Sequence, residues 1–246
     1  MEKKKYIISR RKKTGTAPDT ITQKHDKGYK SIFSKKQNFL HFLKKYIKAD
    51  WVNNIDKNDL TLIDKSFIAA DFKQKESDVI YKMKFQGSEI IFYVLLELQS
   101  SVDFTMPFRL LTYITALLKR EFNNTSANQR ETKDYRLPSV VPIVLYNGSD
   151  NWTAVRSFRE YLQGYEQFGE YIIDLKYLLF DLNRNTDETL LSTNQLLDII
   201  FALDKKPNRM RMERMLGVAF ENLKDMSDDD REDMLGWIKY IWLSYI

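Results

Sequence analysis

Asp78, Glu97 and Gln99 are residue types that can together handle a phosphodiester, provided the chain brings them to one surface. Residues 76–85 alternate, with Val79, Tyr81, Met83 and Phe85 set against Asp78, Lys82 and Lys84, and residues 90–98 are nearly all apolar. Joined by a two-residue turn at Gly87-Ser88, the two stretches form a hairpin in which Asp78 directly faces Glu97. Gln99 then lies two residues on and projects from the same face. Opposed carboxylates repel, and Glu97 ends an apolar strand where an unpaired charge is costly. A divalent cation turns both penalties into a binding site. It would activate water and neutralise charge developing on a phosphate. Gln99 is neither a base nor a cation, so its amide would position water or a phosphate oxygen. Two plainer arrangements stand beside this one. Asp78 can pair with Lys82 on its own strand face, or a turn of another length can slip the register by one residue and separate the acids.

Composition narrows the chemistry. The 246 residues are 43% hydrophobic and 30% charged, a balance that supports a good-sized globular core. With no cysteine, disulfides, thiolate zinc sites and cysteine nucleophiles are excluded. His25 and His41 are the only histidines, so a catalytic metal must be held mainly by oxygen, which selects Mg2+ or Mn2+. His25 itself, lone before a helix, reads as structural. Neither GxGxxG nor GxxxxGK[ST] occurs. No apolar run is long enough for a bilayer, and the basic N-terminus has no apolar stretch behind it, so a cytoplasmic protein without a membrane partner is expected. The net charge of +5 is concentrated in residues 1–13, where seven lysines and arginines stand against Glu2. Arg10, Arg11, Lys12 and Lys13 could grip phosphates, or simply be a solvated terminus.

Periodicity then supplies the elements. Residues 1–24 read as a flexible basic lead. A helix is expected over 28–48, from Ile32, Phe33, Leu40, Leu43 and Ile47, with Asp26 as its N-cap. A short helical turn follows at 51–58, and strands are expected at 60–68, 76–85, 90–98, 139–146 and 170–180. Pro142 marks an irregularity in the fourth of these. Helices are expected at 105–122, 154–163, 193–203, 208–225 and 228–245, the last opened by Asp228, Asp229 and Asp230. The order implies an α/β core over 25–184 and a C-terminal helical region over 185–246. The final GWIKYIWLSYI is either ordinary core or a partner-facing helix that makes a homodimer.

The chain also resembles a known family. The stretches HDKGYKSIF (25–33), ESDVIY (76–81), YVLLELQSSVDFTMPFRLLTYI (93–114) and VVPIVLYNG (140–148) are similar to the recombination-promoting nuclease family, also described as transposase-like, within the PD-(D/E)XK nucleases. The resemblance implies a restriction-endonuclease-like core, a mixed central sheet flanked by helices. It implies a magnesium-dependent DNA endonuclease with little sequence preference, linked to recombination and to mobile-element or phage conflict. On it, Asp78 and Glu97 are the metal-binding carboxylates, and Gln99 stands where the wider superfamily has lysine. Asp26 matches the family's early His-Asp element, as an additional acid or as a helix cap. Arg109 would reach a phosphate or pair with an acid such as Asp103 or Glu97. Lys82 and Lys84, which share the parity of Asp78, would line the DNA-facing side or be solvated strand lysines. Two other readings stay open: a non-catalytic nucleic-acid-binding protein on this scaffold, and a true transposase.

Overall fold

A computed structural model describes residues 21–63, 79–97, 101–205 and 209–240. Five strands form one mixed sheet in the order β1-β2-β3-β4-β5, namely β1 (Leu60–Leu62), β2 (Val79–Phe85), β3 (Ser88–Glu97), β4 (Ser139–Tyr146) and β5 (Leu178–Asp181). β1, β2 and β3 are antiparallel neighbours; β3, β4 and β5 run parallel. The parallel β3–β4 pair requires a crossover, which α3 (Met106–Asn124) and the short α4 (Ala127–Arg130) provide.

β3 is central because its side chains can be buried on both faces: Ile91, Phe92, Tyr93 and Val94 are all shielded from solvent. On one face Ile80, Ile91, Tyr93 and Val144 meet Met106, Leu110, Ile114 and Leu117 of α3. The other face is covered by α1 (Ile21–Ser34), α2 (Lys36–Tyr46), α7 (Leu196–Asp204), α8 (Arg209–Asn222) and α9 (Asp228–Tyr240), whose core residues share one cluster with Tyr81, Phe92, Val94, Leu145 and Phe180. Two further short helices, α5 (Tyr165–Phe168) and α6 (Asp187–Leu190), flank β5 in sequence. This is the expected architecture of a mixed sheet between helical layers.

Aromatic stacking fixes the lower layer. Phe39 of α2 lies nearly parallel to Tyr81 at 4.3 Å between ring centroids, and the Tyr81 hydroxyl donates to the carbonyls of Phe33 and Ser34 at 3.0 and 2.8 Å. A buried phenol must find such acceptors, and here they are the carbonyls at the end of α1.

Several expectations are corrected. The hairpin turn is Gln86-Gly87, with φ of 48° and 81°, the two positive values that the right-handed strand twist favours in a two-residue loop. Phe85 therefore faces Ser88 and Val79 faces Val94, a register offset by two residues from the one that sets Asp78 opposite Glu97. An even offset keeps each side chain on its expected face. The single helix expected at 28–48 is two, broken at Lys35. α1 already runs from Ile21, so Asp26 lies inside it and is not its cap. Pro142 does not interrupt β4, because β5 begins to pair only at Ile143 and a missing donor is tolerated on an open edge. Residues 154–163 hold only a single tight turn at Arg159–Tyr161, and β5 is limited to four residues. Asp228–Asp230 do open α9, behind Ser227, whose hydroxyl accepts from the Asp230 amide at 3.2 Å.

Candidate active site

The hairpin places the start of β2 and the end of β3 at the same edge of the sheet, away from the turn. The same edge collects the carboxyl ends of the parallel strands, where Glu97 is the register partner of Tyr146 and Tyr146 of Asp181. Glu97 is thus the last residue of β3, and Asp78 is the residue immediately before β2 in sequence. The positions of Asp78, Gln99, Arg10, Arg11, Lys12 and Lys13, and the expected Asp78–Glu97 pairing, lie outside the described residues. Among the described residues no three acidic or histidine side chains converge on a metal position.

Arg109 belongs to the first turn of α3, which follows the end of β3. Its guanidinium pairs with Asp103, whose carboxylate also accepts from the amide and hydroxyl of Thr105 at 2.8 and 2.6 Å. Burial alone would raise the Asp103 pKa. The hydrogen bonds from Thr105 and Arg109 outweigh it and hold the group below its ordinary value. Lys82 and Lys84 lie further along β2 than its start at this edge. Lys82 is bound to Glu121 at 2.7 Å and Glu89 at 3.3 Å, and Lys84 is exposed with Glu89 as its cross-strand partner. A phosphate reaching Lys82 would have to displace two carboxylates.

A buried polar centre next to this edge includes His25 but is otherwise built from residues not picked out individually from sequence. Asp204, at the end of α7, accepts from the Tyr29 hydroxyl at 2.8 Å and from Asn147 Nδ2 at 3.0 Å. His25 Nδ1 stands 3.1 Å from its other oxygen, with both side chains almost fully buried. Trp237 closes the site, its ring 4.7 Å from Tyr29 and 5.6 Å from His25. His25 and Tyr29 come from the HDKGY stretch and Asn147 from LYNG, two segments singled out for their resemblance. The polar residues inside those stretches were the available signal. His25, expected to stand before a helix, lies inside α1, and its acid partner is distant in sequence. Asn183 Nδ2 then holds the carbonyls of Asn147 and Gly148 at 2.6 and 2.9 Å. Gly148 permits this path, because a Cβ there would fall 1.9 Å from the Tyr146 hydroxyl oxygen. Asp181, at the end of β5, has its pKa raised by burial, opposed by Arg184 and Arg156.

The fold and this edge define an α/β protein whose mixed sheet gathers acidic and polar residues at the carboxyl ends of its parallel strands. The chain belongs to the family described as "Putative transposase, YhgA-like", whose model matches residues 23–234. It is 31% identical over 132 residues to the recombination-promoting nuclease RpnC of Escherichia coli strain K12, covering 54% of this chain and 41% of that protein. It is 28% identical over 130 residues to the recombination-promoting nuclease RpnD of Escherichia coli O157:H7, covering 53% of this chain and 47% of that protein. An inactive recombination-promoting nuclease-like protein, RpnE of Escherichia coli strain K12, is 28% identical over 130 residues, covering 52% of this chain and 40% of that protein. In each case the match spans less than half of the relative's length. No solved structure matches the chain. No helix among the described residues is long and apolar enough to cross a membrane.

Proposed function

We propose that the chain is a metal-dependent DNA endonuclease on a PD-(D/E)XK core, cutting phosphodiester bonds with little sequence preference in recombination or mobile-element conflict. One observation carries this reading: the antiparallel β2–β3 hairpin brings the chain entering β2, just after Asp78, and the chain leaving β3, at Glu97, to one sheet edge. The relatives' names as recombination-promoting nucleases support it. The donor set also fits a hard cation, because the residues concerned offer carboxylate and amide oxygens and the chain has no thiol.

In this reading Asp78 and Glu97 hold Mg2+ or Mn2+. The ion would supply an acidified water and charge neutralisation at the phosphate. Gln99 orients the water or a phosphate oxygen through its amide, since it cannot take up a proton. The Asp204 centre keeps α1, which carries Asp26, against the loop that follows β4. The test is plasmid nicking by the purified chain with magnesium. Asp78→Ala and Glu97→Ala should each lower the rate by at least about a hundredfold while leaving the fold intact. Normal nicking by both variants would remove the proposal.

A second reading has its own support in the relative named as inactive. There the chain binds nucleic acid without cutting it. DNA binding with no magnesium-dependent nicking by the wild-type chain would select it.

A further inference from the structure

Beside the carboxyl edge, the outer strand β5 borders a polar recess of about 390 Å3. Its lining includes Tyr46, Trp152, Arg156, Asp181, Arg184 and Asn185. The register that links Glu97 to Tyr146 and Tyr146 to Asp181 sets this recess two strands from the end of β3, about 10 Å across the sheet. A ligand strand lying along that edge would pass from one to the other.

The groups in the recess have unused capacity of complementary kinds. Arg156 is exposed, its carbonyl accepts from the Tyr177 amide, and its guanidinium makes no hydrogen bond or ion pair among the described residues, although its charge acts on Asp181. Arg184 uses Nη2 on the Ser149 carbonyl at 2.9 Å, while its Nε stays 3.7 Å from Asp181 Oδ2. Asp181 Oδ1 has no hydrogen-bond partner among the described residues. Trp152 is braced by its Nε1 donation to Tyr177 at 2.9 Å and by edge packing on Tyr146 at 4.9 Å, which leaves it half-buried. Two guanidiniums, one acceptor and a fixed indole match a nucleotide: phosphate for the arginines, a base face for the indole, and an exocyclic amino group for the carboxylate.

We propose that this recess is a nucleotide subsite, in which Arg156 and Arg184 hold a phosphodiester of the DNA strand next to the one presented at Glu97. The assignment deepens the nuclease reading and rests on it for the identity of the ligand. The full chain and its Arg156→Ala variant are titrated with a short fluorescein-labelled DNA oligonucleotide in EDTA, across a series of KCl concentrations. Lys176→Ala is the control, because Lys176 is an exposed cation outside the recess, 3.8 Å from Asp174. Arg156→Ala should weaken binding about tenfold and lower the slope of log K against log salt by about one, with Lys176→Ala changing affinity by about twofold at most. Equal effects of the two variants, an unchanged Arg156→Ala, or absence of DNA binding by the wild type would overturn the subsite. So would preference for an extended peptide over DNA, which would make the β5 edge a strand-addition site. Plasmid nicking with magnesium separates the two claims. A wild type that nicks beside an Arg156→Ala that binds normally loses only the subsite. A wild type that never nicks beside an Arg156→Ala with weakened binding loses only the enzyme.

Discussion

Asp204 shows how a single buried carboxylate can set the geometry of a site made elsewhere. Its two oxygens face groups from α1 and from the loop after β4, so neither segment can shift without breaking a bond in a dry environment. Replacing it by alanine leaves the Tyr29 hydroxyl and the Asn147 amide without their acceptor. We expect Asp204→Ala to cost about 3 kcal/mol, read as a lowered urea midpoint at unchanged m. Tyr29→Phe, which removes one donor and leaves the carboxylate its other partners, should cost about 1 kcal/mol. Equal and negligible losses for both would show that the centre contributes nothing to holding the edge together.

At the level of elements, a second buried acid ties α2 to α7. Asp198 is fully buried and accepts from His41 Nε2 at 2.9 Å, Lys45 Nζ at 2.8 Å and the Tyr46 hydroxyl at 2.6 Å, with Thr193 closing the set. Burial would raise its pKa, but the hydrogen bonds from His41, Lys45, Thr193 and Tyr46 prevail and hold it below 3.8. A carboxyl whose folded pKa is depressed stabilises the fold fully above its unfolded value and loses that contribution as pH falls through the folded one. Acid titration of stability should therefore show a decline below about pH 4 that is shallower in Asp198→Asn, where only the other depressed carboxyls, such as Asp103, still contribute. The variant, which leaves Lys45 with no buried counter-charge, should itself be about 3 kcal/mol less stable at neutral pH. A parallel decline in both proteins would place the acid sensitivity elsewhere.

The elements also show what the sequence could reveal. β3 and α3 were legible because long, one-sided or wholly apolar patterns leave few alternatives, and both appear within two residues of their expected limits. The hairpin was legible as a hairpin, but not in register. Gly87 suits either position of a two-residue loop, and it was the positive φ of Gln86, invisible in the residue type, that set the turn one residue earlier. The break at Lys35 escaped notice because apolar spacing continues through it. Asp204 and Asn147 escaped because a polar centre assembled from α1, a post-strand loop and α7 joins residues up to 179 positions apart in sequence. Arg156 lay in a stretch where a helix was expected, and only the fold brings it beside β5.

Over the whole molecule, charge and packing are divided. The described body packs its core in two layers against the sheet, while the basic excess of the sequence resides in residues 1–13. A phosphate-binding function predicts that deleting those residues lowers DNA affinity and flattens its salt dependence, since each neutralised phosphate contributes about 0.9 to the logarithmic slope. Oligonucleotide titrations in EDTA check this, and an unchanged slope would assign the tail no part in binding.

The anchoring of α1 gives the tail a further meaning. Ile21 lies about one helical turn, roughly 6 Å, before His25, and His25 is fastened through Asp204 to Asn147, next to the strand end that pairs with Glu97. Under the proposed nuclease function, the basic residues 10–13 are joined to that edge through the chain itself, and covalent linkage alone makes their encounter with DNA held there intramolecular. On that proposal, residues inserted before Ile21 should weaken DNA affinity only gradually, because the cost of a longer linker grows slowly with its length, and oligonucleotide titrations in EDTA would check it.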